Sequence, residues 1–194
     1  MIVKRILWLS LSICIIGGSL LIWHSLDLNF SLFDSQPNLK ETMKDIQDGL
    51  NSVGPVEYDL KYHDNSTGED RTVHLRQEIS KVSADPNTCF LIYEQRTYQN
   101  AAQHDTGSVV QLRDVKRIAI LTMEQEVHNS GVFADHPKFS VQSSPPVFVV
   151  EPIRLDSHER SAFFFLNHPQ ADKMAHSLIH AAELCGGGRR SKKF

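Results

Sequence analysis

Residues 6 to 23, ILWLSLSICIIGGSLLIW, carry no charge and stand directly behind Lys4 and Arg5. Eighteen such residues are just enough to cross a bilayer core of about 30 Å as a helix. In hydrocarbon the backbone must satisfy its own hydrogen bonds, so a helix is the conformation open to a lone segment. Trp8 and Trp23 stand near its ends, where indole rings favour the membrane–water interface. The basic end stays cytoplasmic under the positive-inside rule, which exports the rest of the chain. A cleaved signal peptide is the competing reading, with Gly17 and Ser19 as small residues near a cut. A lipidated Cys14 is a third, although Ile13 occupies the place where a lipoprotein signal carries a small residue. All three readings export the chain. The expectation is a single-pass protein of the cell membrane with an extracytoplasmic C-terminal domain, or a secreted or periplasmic one after cleavage.

Export changes the meaning of the cysteines. With Cys14 in the apolar segment, the exported part keeps two, Cys89 and Cys185. An even pair in an oxidising compartment predicts a disulfide. Bridging them closes a loop of about 96 residues, worth at most ~4–5 kcal/mol in the chain-entropy model.

Charge narrows the partners. Six of the 20 Lys and Arg residues lie at the two ends, so residues 25 to 188 hold 14 basic against 23 acidic side chains, a net −9. Such a body repels phosphate backbones and argues against nucleic acid as a partner.

Beyond a 25–38 linker, Asn38 and Glu41 form an N-x-x-E capping pattern. Leu39, Met43, Ile46 and Leu50 follow at helical spacing, predicting an amphipathic helix over 39–50 that Gly54-Pro55 stops. Val56, Tyr58, Leu60 and Tyr62 then alternate with Glu57, Asp59 and Lys61, a strand with one buried face. Further strands are predicted at 73–79 and 89–98, as two short ones within 109–123 with a bend near Arg113-Asp114, and at 147–153 and 162–166. Residues 99–108 read as a turn and 124–146 as an irregular segment of a length that often carries function. A last helix starts at Asn167 and places Ala171, Met174, Leu178, Ala181 or Ala182, and Cys185 on one stripe. Gly186 ends it, and residues 186–194 read as a loose glycine-rich basic tail. The thiol is thus the last core-facing residue of the helix, with Cys89 at the mouth of a central strand as its partner. The fold class is α+β, mainly β: seven short antiparallel strands in a sheet, sandwich or barrel, capped by the C-terminal helix.

That order of elements resembles the pleckstrin-homology-like superfamily, in which a bent seven-stranded sandwich or barrel is plugged by a C-terminal helix. The stretch VVQLRDVKRIAIL, with Leu112, Val115 and Ile118 as packing positions, is similar to its strand–bend–strand element. The ending ELCGGG resembles that of bacterial exported proteins. The resemblance covers residues 56 to 185 and implies a single domain over 39–185 that binds protein, peptide or lipid without catalysis. Phosphoinositide-binding members carry basic residues in the first hairpin, whereas KYHDNSTGEDR here brings Asp64, Glu69 and Asp70.

No cofactor is implied, because Gly186 to Gly188 follow a helix where a phosphate loop would precede one. No nucleophile is recognisable, and Ser143-Ser144 lacks an elbow motif. Metal candidates are Glu124, Glu126 and His128, which would share one face of a strand, with Asp135 and His136 near. His176 and His180 have i, i+4 spacing but fall on the solvent side of the last helix. Asn65-Ser66-Thr67 fits a glycosylation sequon that is common by chance. The expected function is a membrane-tethered, extracytoplasmic binding or scaffolding module without catalysis. The alternatives are a metal-dependent enzyme built on 124–146, and a structural envelope protein whose basic tail touches anionic lipid.

Overall fold

The computed structural model describes residues 37–100, 102–131, 138–154 and 160–188. The apolar segment 6–23, most of the linker, Asp135, His136 and the basic residues 189–194 lie outside the described residues. Among the described residues, no helix is long and apolar enough to cross a membrane.

Helix α1 (Leu39–Asn51) starts on the predicted box: the Asn38 side chain accepts from the Glu41 amide, and Glu41 accepts from the Asn38 amide. Strands β1 (Val56–Asp64), β2 (Glu69–Asp85), β3 (Phe90–Gln99) and β4 (Ala102–Gln111) follow as antiparallel hairpins. With β6 (Phe139–Gln142) they make a five-stranded sheet in the order β4-β3-β2-β1-β6. A 3-10 turn over Leu112–Asp114 makes the predicted bend and leads into β5 (Val115–Thr122). Strand β5 pairs with β7 (Phe148–Arg154) and β7 with β8 (Phe163–Phe165), a separate three-stranded sheet. Between β5 and β6 lies α2 (Met123–Ser130), and α3 (His168–Leu184) closes the chain.

The mainly-β, antiparallel plan with a terminal helix is as predicted. Three details differ. Among the described residues there are eight strands, in two sheets that do not close into a barrel. The expected turn over 99–108 shrinks to its first residues, because β4 pairs with β3 from Gln99↔Ala102 onward. Polar on both faces, that stretch has no alternation to betray it; pairing and the Arg96–Asp105 contact at 3.1 Å hold it. The 124–146 stretch is not wholly irregular, since it contains α2 and β6.

Strand β2 is long enough to serve two partners. Its first half pairs with β1 as far as Gln77, and its second half pairs with β3 down to Asp85. Where β1 ends, α1 covers the exposed edge: Asn51 and Gln47 side chains accept from the Val82 and Ala84 amides at 3.1 and 3.0 Å. Those donors would otherwise be buried without partners.

The small sheet is apolar on both faces, and so it divides the interior. Val150, Phe163 and Phe165 face a larger cluster with Met43, Ile46 and Leu50 of α1, Leu91 and Tyr93 of β3, and Leu178 of α3. Val149 and Phe164 face a smaller one with Val56, Tyr58 and Leu60 of β1 and Met123 and Val127 of α2. Alternation along β7 and β8 feeds the two clusters in turn.

The disulfide is formed: Cys89 and Cys185 are bonded, with Cα atoms 6.0 Å apart. Cys89 precedes β3 and takes φ 62°, a left-handed turn stabilised where Asp85 accepts from the Asn87 amide and the Thr88 hydroxyl. Its carbonyl accepts from the Leu112 amide at 2.9 Å. The three glycines after Cys185 are part of this closure, not a loose tail. Gly186 takes φ 87°; a Cβ on Gly187 would lie 2.6 Å from the Leu112 carbonyl oxygen, and the Gly188 amide donates to Val115 at 3.0 Å. A side chain at 187 would push the chain off the 3-10 turn.

Candidate functional site

Beside the smaller cluster, the described residues cover the inward face of β1 and β2 only in part. The β1 row Tyr58, Leu60 and Tyr62 continues across the register into Val73 and Leu75, with Gln77 and Gln99 beyond. Helix α2 lies over one side of this surface and contributes Met123, Glu126, Val127 and Ser130; Phe164 of β8 forms part of the wall. Between them is a cleft of about 330 Å³.

The helix forms for local reasons. The Thr122 side chain accepts from the Gln125 amide, and Gln125 accepts in turn from the Thr122 amide, a complete capping box. Glu124 and Glu126 sit in the first turn, where the helix dipole favours negative charge. Gly131 at φ 70° ends it. Met123 and Val127, four residues apart, are the buried pair.

A helix also rearranges the metal candidates. On a strand Glu124, Glu126 and His128 would share a face; with 3.6 residues per turn, Glu126 points away from the other two. Glu124 and His128 border a shallow groove of about 470 Å³ with Leu121 and Phe139, on the other side of the helix. Glu126 turns to Arg160, whose Nη2 donates to it at 2.7 Å. Among the described residues, no group of three or more His, Cys, Asp or Glu converges. His176 and His180 are one turn apart on α3 but hold backbone: His176 Nδ1 meets the Asp172 carbonyl at 2.8 Å and His180 Nε2 the Pro37 carbonyl at 2.9 Å. Ser143 and Ser144 line none of the cavities described.

Arg160 is the hinge of the site's electrostatics. Its Nε donates to Glu151 of β7 at 2.7 Å while Nη2 holds Glu126, so one guanidinium serves two carboxylates and leaves one negative charge over. Glu151 is 9% exposed, so this charge sits largely out of water. Burial pushes the Glu126 carboxyl above its ordinary value; Arg160 opposes the shift and Glu151 adds to it. Arg160 is raised in turn, chiefly by its hydrogen bond to Glu151. Tyr58, 6% exposed, is pushed up to about 12 by burial first and by the Glu126 charge second. Reasoning along the sequence passed over the cleft, although the Thr122/Gln125 box with Gly131 was there to mark the helix.

Such a site can hold a small molecule by apolar contact and orient it through a few convergent polar atoms, the usual composition of a ligand pocket. Comparison of the chain with protein-family models, with curated proteins and with solved structures finds no match.

Proposed function

We propose that the protein is an extracytoplasmic, membrane-tethered binding module without catalysis, and that its ligand occupies the cleft between the β1–β2 face and α2. The cleft itself carries the reading: an apolar surface left open beside a packed core, with Glu126, Gln77 and Tyr58 at its border. The oxidised Cys89–Cys185 pair agrees with residence outside the cytoplasm. The uncharged run behind Lys4 and Arg5 supplies the tether. The order of strands and the closing helix are in keeping with a distant relation to pleckstrin-homology-like domains, which mostly bind lipids, peptides or proteins.

Methyl-detected NMR of the full chain, screened against small aromatic and aliphatic compounds, tests the reading. Binders are expected to shift the methyl resonances of Met123, Val127 and Leu75 and to leave Met43 and Leu178 of the other cluster in place. If binders shifted only methyl groups elsewhere, or none moved the cleft set, the reading would be wrong.

A further inference from the structure

From the electrostatics of the cleft we infer that its ligand is a small cation, an amine carried on an apolar or aromatic body; this rests on the cleft being the binding site. Four observations converge. Among the described residues that line the cleft, Glu126 is the one acidic side chain, and no Lys, Arg or His stands with it. Glu126 shares Arg160 with Glu151, so the group it belongs to carries one uncompensated negative charge. One Glu126 oxygen receives Arg160, and among the described residues the other receives nothing. The Gln77 side-chain oxygen, also in the lining, is buried without a hydrogen-bond partner.

Buried acceptors with spare capacity are costly to leave empty, and a donor supplied by a ligand removes that cost. An ammonium provides up to three donors and the missing charge together. Tyr58 and Phe164 belong to the same lining, and aromatic rings attract a desolvated cation. A carboxylate ligand would instead meet Glu126 at close range in a poorly hydrated site, where repulsion is screened least. At about 330 Å³ the cleft lies at the small end of the ~300–1,000 Å³ range of ligand pockets, so the body is no larger than a substituted ring or short chain.

Calorimetric titration of the full chain with 2-phenylethylamine, 2-phenylethanol and 3-phenylpropionate tests this, because the three differ mainly in the charge of the head. The amine is expected to bind at least about tenfold more tightly than the carboxylate, roughly 1.4 kcal/mol. Glu126→Gln should abolish that preference, while Glu124→Gln, on the opposite side of α2, keeps it. The wild-type chain gives an independent readout: the neutral alcohol should bind more weakly than the amine and more tightly than the carboxylate. Equal or tighter binding of the carboxylate, with cleft methyl groups still shifting, would overturn the cation assignment and leave the cleft standing. If none of the three moved those methyl groups, both would fall.

Discussion

Tyr58 reports on the site more sharply than any other single residue, because its hydroxyl sits where burial and one carboxylate act together. Its ionisation at about 12, against an ordinary 10, means that the folded chain resists releasing the proton while the unfolded chain does not. A raised tyrosine leaves stability intact below the unfolded value and withdraws it as pH climbs from about 10 toward 12. The expected outcome is a late-titrating component in an ultraviolet difference titration that is lost in Tyr58→Phe. Glu126→Gln should bring that midpoint down only part of the way, since desolvation is the larger cause. A Tyr58 midpoint near 10 would mean an open, hydrated position in place of a buried one.

At the scale of elements, α3 and its sulfur bridge do the closing. Cys185 follows the last helical turn, Cys89 is the left-handed residue at the foot of β3, and the bond joins them across 96 positions of sequence. The double change Cys89→Ser with Cys185→Ser is expected to lower the unfolding free energy by up to ~4–5 kcal/mol, since the open loop regains its entropy in the unfolded state. Urea unfolding of the oxidised and double-serine chains measures it, and a difference below about 0.5 kcal/mol would show that the bond is idle. Both closing residues were legible in the sequence, because helical spacing placed Cys185 on the apolar stripe and the expectation of an exported chain left one partner for it. Helices α1 and α3 were legible for similar reasons, a cap followed by a stripe. Helix α2 was misread: Glu124, Glu126 and His128 alternate, and alternation suggests a strand. The Met123–Val127 spacing and the Thr122/Gln125 box point the other way, and tertiary packing against β1 gives them the decision. The Glu126–Arg160–Glu151 group was out of reach altogether, because its members come from α2, the segment before β8, and β7, and no local pattern joins them.

Over the whole molecule, the double-sided small sheet separates two interiors with different fates. The larger is sealed by α1, α3 and the disulfide, and the smaller keeps an opening between the sheet and α2. On the proposed reading, stability and recognition lie in different places, so one can be altered without the other. The individual strands could be read from alternation, but the incomplete cover over β1 and β2 could not, because it depends on how far α2 reaches. Val73 lines the cleft from a half-buried position on β2, outside both fully buried clusters. Val73→Trp should therefore fill the opening while leaving the sealed core as it is. The decisive measurement is the affinity of this variant for compounds that bind the wild type, taken alongside its melting temperature. The account predicts at least about a tenfold loss of affinity with cooperative melting retained. Undiminished binding by a folded, plugged chain would contradict it.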